Sequence, residues 1–486
     1  MSDRLPNKNT DACRYKNSLF FIMLYGNFLY FGIIVTADKT QYTLSMYKIN
    51  FTNLFVIIFI AGTILAFLIN QILEFTAYSA RRRNSGVLPE EFKNIPEAAC
   101  FDTEKLKKIR DYENAKYFSW IPSAVCGFAL SLVLALSGFY PRVFDFVCRF
   151  TGLPHSFRTS YLTALIFAVS VSVPKNILSI PFDLYDEFVI EKKFGFSKMT
   201  FALWLTDEIK SLLISALTGA PLLAAVIAIL TFMPNTWWIF VTVLIFTVSL
   251  VMAVIYPLVI APLFNKFMPL DDGELKKRIE SLSSSLGFKL SGIFIMDESK
   301  RSGHSNAYFG GLGKSKRIVL FDTLVKILTP DELIAVLGHE LGHYKLHHII
   351  RRFLVMVPVE FLLMLIFFIC SKSQALYEGF GFNFSADSMN YVRFIGLFLI
   401  SLAASPLSEL FTPLGNFFSR RDEFAADRFS AEHTQNPSAL ISGLIKLNSE
   451  NLSELFPPKI YVIWNYSHPT LAERIKALRR HSGNTN

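Results

Sequence analysis

Stretches of about 20 largely apolar residues recur along this chain, and that is the length an α-helix needs to cross the hydrocarbon core of a bilayer. Roughly eight fall between charged segments: Ser18 to Thr36, Asn53 to Leu73, Phe118 to Phe139, Tyr161 to Phe182, Leu212 to Phe232, Trp237 to Leu263, Phe353 to Cys370 and Val392 to Phe411. Open sheet edges and irregular loops cannot satisfy their polar backbone in lipid, so the chain is expected to be an α-helical polytopic membrane protein. Composition agrees, with 52% hydrophobic residues against 18% charged ones, which excludes a disordered chain and an ordinary soluble enzyme. The first stretch contains Asn27 and follows a polar lead at residues 1–17. It lacks a convincing small-residue cleavage site and reads as a retained anchor rather than a signal peptide.

Cytoplasmic loops of membrane proteins carry the excess of Lys and Arg. The segment from Tyr78 to Lys116 holds Arg81, Arg82, Arg83, Lys93, Lys105, Lys107, Lys108, Arg110 and Lys116, whereas the loops of the opposite side hold Lys39, Lys48, Arg142, Arg149, Arg158 and Lys372. The basic segment and the long polar stretch Asn265 to Arg352 are therefore expected to face the cytosol. This bias accounts for the net charge of +9 without a nucleic-acid partner. The five cysteines (Cys13, Cys100, Cys126, Cys148 and Cys370) are scattered and show no CxxC spacing, so a metal would have to be held by His and carboxylates. Pro174 and Lys175 fall inside the fourth stretch. Either this helix lines a wet cavity or Lys175 snorkels from near a helix end.

The polar stretch contains Val336-Leu337-Gly338-His339-Glu340-Leu341-Gly342-His343, an HExxH motif. Two His four apart share one helical face and can address one zinc ion, with the Glu beside them as general base. The surroundings predict that helix, with Thr329 as N-cap, Pro330 at the first helical position, Glu332 completing a capping box, and Leu333, Val336 and Leu337 as an apolar stripe. A catalytic zinc takes three protein ligands and an open position. His347 and His348 follow closely, but His347 is expected one turn further along the same helix, and both read as polar residues at the membrane boundary. Ser419-Arg420-Arg421-Asp422-Glu423-Phe424-Ala425-Ala426-Asp427 offers a better candidate. Glu423 and Asp427 are four apart on a second expected helix, one as ligand and the other orienting a His N–H.

HSNAYF (His304 to Phe309), RIVLFDTL (Arg317 to Leu324), VLGHELGHYKLHH (Val336 to His348), SRRDEFAAD (Ser419 to Asp427) and YSHPTLAERI (Tyr466 to Ile475) together resemble the type I CAAX prenyl proteases. The resemblance continues upstream through Pro181 to Tyr185 and Phe188 to Phe196, covering roughly residues 54 to 480. It implies seven helices, or eight with the first stretch, enclosing a water-filled chamber, with a small α+β zinc metalloprotease domain, one Zn2+ ion, the endoplasmic reticulum membrane, and the inner nuclear membrane as a second location. The implied substrates are prenylated CAAX proteins or peptides, cut after the modified Cys to release a tripeptide. The sequence departs from the family pattern in about 50 additional N-terminal residues, in a short connection between RIVLFDTL and the zinc helix, and in an end at Asn484-Thr485-Asn486 without a retention signal.

The expected roles follow. His339, His343 and Glu423 hold the metal, Glu340 is the base, and Asp427 orients a ligand His. His468, in the motif resembling the family's C-terminal block, is the candidate donor to the oxyanion, and Arg474 the candidate buttress of a carboxylate. Gly292 to Phe321 reads as short strands with turns at Gly303 and Gly310-Gly311-Leu312-Gly313, and Asn306, Ala307 and Tyr308 are candidates for pairing with an extended peptide. The expected division is an extension at 1–52, membrane helices and a basic loop at 53–264, the zinc domain at 265–352, two membrane helices at 353–411, and C-terminal helices at 412–486. Two rivals stand beside this reading. One is a quality-control protease that cuts misfolded or translocon-clogging proteins without a prenyl requirement. The other is a transporter or scaffold with a closed structural metal site.

Overall fold

The structure is a computed structural model describing residues 47–84, 86–92, 94–310, 317–384 and 389–483. The stretch Ser18 to Thr36 lies outside the described residues. The other seven expected stretches fall in helices long and apolar enough to cross a membrane. These are α1 (Leu54–Arg83), α2 (Thr103–Leu136), α3 (Phe157–Phe194), α4 (Phe201–Phe232) and α5 (Trp237–Phe264). After the polar helix α6 (Glu274–Ser285) and the HExxH helix α7 (Pro330–Lys345) come α8 (His348–Ser371) and α9 (Met389–Ala404). A 3-10 turn at Ser405–Leu407 joins α9 to α10 (Ser408–Thr434), and α11 (Pro437–Glu450), α12 (Lys459–Asn465) and α13 (Leu471–Gly483) complete the chain.

Polar caps start these helices: Asn53 accepts from Phe55 N at α1, where the apolar run begins, and Asp102 from Lys105 N at α2, whose first turns are charged and precede the apolar run from Phe118. Within α3, Pro174 and Pro181 sit inside the helix, which passes through a π-turn at Asp186–Glu191. Lys175 lies at the middle of the 38-residue run Phe157–Phe194.

Between α5 and α7 the chain builds one four-stranded sheet from β1 (Phe267–Pro269), β2 (Gly292–Met296), β3 (Ala307–Gly310) and β4 (Arg317–Phe321), in the order β1-β2-β4-β3. The β2–β4 pair is parallel, the other two antiparallel. Ile293, Ile318 and Leu320 on one face of this sheet meet Leu333, Leu337 and Leu341 of α7. These leucines recur every four residues, so one helical stripe enters the core and leaves the opposite side free for the metal site. Each buried Leu stabilises the domain by about 1.5–3 kcal/mol.

The basic segment after α1 is folded onto the C-terminal helices. Phe92, Ile95 and Phe101 share a core with Leu440, Ile445, Leu452 and Ile475, Arg81 pairs with Glu454 at 3.0 Å, and Lys105 pairs with Glu450 at 3.0 Å. The loop and the C-terminal helices therefore sit on one side of the helix ends.

Candidate metal centre

Helix α7 begins as expected: Thr329 accepts from Glu332 N, Glu332 accepts from Thr329 N at 2.8 Å, and Pro330 occupies the first position. Glu332 also accepts from Ser442 Oγ and from Lys446 Nζ, so the same carboxylate ties α7 to α11. The opposite side of α7 lies directly on α10. A Cβ on Gly338 would meet Ser430 Oγ at 2.9 Å, and one on Gly342 would meet Phe429 Cδ1 at 3.0 Å. With hydrogen there instead, Ser430 Oγ donates to the carbonyl of Ala335 at 2.6 Å. The two residues preceding His339 and His343 are thus what allows both imidazoles to reach Glu423 on the neighbouring helix.

The ligating atoms of His339, His343 and Glu423 all lie within 4.8 Å of one another. His339 Nε2 is 3.1 Å from His343 Nε2 and 3.2 Å from Glu423 Oε2, and His343 Nε2 is 3.2 Å from Glu423 Oε1. Two features fit a metal ion. Donors 2.0–2.1 Å from a tetrahedral ion stand roughly 3.3 Å apart, which these separations match. Moreover, Glu423 Oε2 is fully buried and makes no hydrogen bond despite its 3.2 Å neighbour, an orphaned acceptor that a cation would satisfy.

Each of the two imidazoles is held from behind. His339 Nδ1 lies 2.8 Å from Asp427 Oδ1, and Arg474 grips the same carboxylate through Nε at 2.8 Å and Nη2 at 2.6 Å. Burial pushes the His339 imidazole towards lower pKa, but the neighbouring Asp427 and Glu423 carboxylates outweigh it and raise the pKa to about 9. For Arg474, burial opposes its charge while the Asp427 carboxylate outweighs that and raises the pKa.

The support of His343 departs from expectation. Helix α7 stops at Lys345, Leu346 caps it, and His347 takes a left-handed conformation at φ 55°. His347 is therefore not one more turn of the same helix. The reversal folds His348 back under the site, where it is 3% exposed, with Nδ1 3.0 Å from His343 Nδ1. A His343 that offers its Nε2 lone pair to a metal carries its proton on Nδ1, so His348 Nδ1 accepts it and His348 Nε2 carries the N–H. That N–H side faces Asp422 at 3.9 Å, and Asp422 accepts from Arg351 and from Arg352 Nε. His348 is a supporting residue of the site rather than a boundary residue, and Asp422 was not singled out from sequence. The adjacent pair His347-His348 was a signal, but only the break between α7 and α8 decides which of the two turns inward.

His468 comes in from the connection between α12 and α13, with Nε2 3.3 Å from Glu423 Oε1 and Nδ1 3.0 Å from Ser467 Oγ. Glu340 is half-buried on α7 beside the two His. Among the described residues β3 pairs on one side only, with β4, and is an edge strand. Asn306 precedes it, its carbonyl bound to Phe321 N and its Oδ1 to Ala307 N, while its Nδ2 and the Tyr308 hydroxyl are buried without a hydrogen-bond partner. Burial pushes the Tyr308 hydroxyl up to about 12.

The sequence pattern of the CAAX prenyl protease N-terminal region, described as five membrane helices, matches residues 77–266, and that of peptidase family M48 matches residues 269–482. The chain belongs to peptidase family M48. This M48 chain is 37% identical over 393 residues to CAAX prenyl protease 1 of Saccharomyces cerevisiae, covering 78% of this chain and 86% of the relative. It is 32% identical over 432 residues to the human CAAX prenyl protease 1 homolog, covering 81% and 88%. The crystal structure of S. mikatae Ste24p superposes with a TM-score of 0.80 at 35% identity, covering 87% of this chain and 99% of that one. The M48 protein is a multi-pass membrane metalloendopeptidase.

Proposed function

We propose that this metallopeptidase removes the C-terminal tripeptide from prenylated CAAX proteins, in the membrane of the endoplasmic reticulum, with one zinc ion held by His339, His343 and Glu423. The observation that carries the reading is the convergence of those three side chains beside Glu340 in a chain whose similar proteins bear the name CAAX prenyl protease 1. When bound, the zinc supplies Lewis acidity to the scissile carbonyl and to the attacking water. Glu340 takes the proton of that water and hands it to the leaving amine. His468 donates to the oxyanion that develops on the carbonyl. Asp427 keeps the His339 proton on Nδ1, which leaves Nε2 free for the metal. An extended peptide adds to the free side of β3, with Asn306, Ala307 and Tyr308 as its contacts, two of which carry a polar atom without a hydrogen-bond partner. The membrane helices suit an open interior, since the most apolar windows of α3 and α4 are only 6% buried, as in a ring with lipid outside and water within.

The test is tripeptide release from a synthetic farnesylated CAAX peptide by purified wild-type protein and by Glu340→Ala, with zinc content measured on both. The expected result is equal zinc and a loss of about 10²–10⁴-fold in turnover for the variant. Cleavage of an unmodified unfolded protein but not of the prenylated peptide would transfer the function to quality control. Zinc without cleavage of either substrate would leave a structural metal.

A further inference from the structure

The turn that presents His468 belongs to no helix or strand, so its position has to be imposed from outside. Helix α12 is only seven residues long, and the carbonyls at and just past its end are open to donors from other elements. Donors from α10 take them. Asn416 Nδ2 donates to Trp464 O at 2.6 Å, and Arg420 Nη1 donates to Val462 O at 3.1 Å and to Tyr466 O at 2.7 Å. A cation at a helix C-terminus is favoured as well by the helix dipole. On the far side of His468, Arg474 returns to α10 through Asp427.

Asn416, Arg420, Glu423 and Asp427 follow one another at steps of four, three and four, which places them on one face of α10. The helix that carries the carboxylate ligand therefore holds the His468 segment both before and after His468. From this geometry we infer that Arg420 is a positioning residue for His468. Its guanidinium fixes Tyr466, two residues upstream, so that the imidazole stays beside Glu423. The inference rests on the proposed role of His468 as oxyanion donor. Arg420 touches neither the ligand atoms nor the peptide edge, and a displacement of about 1 Å in a reacting group is worth on the order of 10²-fold in rate. Arg421, the next residue, is exposed and serves as a charge-matched control.

The experiment measures kcat and KM for a farnesylated CAAX peptide, together with zinc content and thermal unfolding, for Arg420→Ala, Arg420→Lys, Arg421→Ala, His468→Ala and Arg420→Ala/His468→Ala. Arg420→Ala is expected to lower kcat about 10–100-fold with KM and zinc unchanged. Arg420→Lys recovers part of the rate, because an ammonium has donors for both carbonyls that Nη1 reaches but sits on a shorter and more strongly hydrated side chain. The double variant is expected to be no slower than His468→Ala, and Arg421→Ala to match wild type. A double variant slower than His468→Ala by the full Arg420→Ala factor overturns the inference alone, as does loss of zinc in Arg420→Ala. Wild-type kcat in His468→Ala removes the oxyanion role itself, and the inference with it.

Discussion

The two imidazoles on α7 are supported in different ways. Behind His339 stands a buried carboxylate, Asp427, gripped through two nitrogens of Arg474, whose side chain is 12% exposed. Behind His343 stands a second imidazole, His348, and beyond it Asp422, neutralised by Arg351 and Arg352 with side chains 55% and 36% exposed. A carboxylate facing an N–H is a charge-assisted bond in low dielectric, stronger than one between two neutral rings. The His339 side is therefore the rigid half of the site, and the His343 side the softer half.

The largest consequence is expected at Asp427. Asp427→Ala removes the partner of His339 and strands the Arg474 guanidinium, so metal affinity should fall about 100-fold and folding stability by about 3–5 kcal/mol. Titration of metal release with a chelator and thermal unfolding would read the two losses. His348→Ala should weaken metal binding by only about tenfold; an effect as large as that of Asp427→Ala in the same titration would end the distinction between the halves.

Acidity sharpens the same comparison. In protein stripped of metal, His339 titrates near 9 instead of 6.5. A histidine whose pKa is raised on folding contributes stability that is complete below about 6.5 and is lost as pH rises through about 9. Thermal unfolding of stripped protein should thus show a decline over that window, reduced in Asp427→Asn and retained in His348→Ala. The smallest effect is expected at the start of α7, remote from both imidazoles. Thr329→Ala removes one half of the capping box and should cost about 1 kcal/mol with metal affinity unchanged, as calorimetry beside the chelator titration would show.

Much of this protein was legible in one dimension. Seven of the expected apolar stretches lie in helices, and Thr329, Pro330 and Glu332 begin α7 as their order predicts. The spacings from His339 to His343 and from Glu423 to Asp427 place each pair on one helical face. Gly338 and Gly342 were harder to interpret, since within α7 they are only poor helix formers. Their use becomes visible once Ser430 and Phe429 of α10 are set against them.

Sequence alone therefore determined what local periodicity and composition can express: helices that cross lipid, a cap, and an HExxH face with its four-residue period. Only the tertiary structure decided which atoms from distant segments converge. His348 turns to His343 because the chain reverses at a left-handed His347, Glu423 meets the two imidazoles because glycines let α10 close on α7, and His468 arrives beside it on a turn held by Arg420. A helical repeat is written into neighbouring residues by backbone geometry. A contact between residues tens of positions apart depends on where each element ends and how closely two surfaces pack, and no local pattern encodes that.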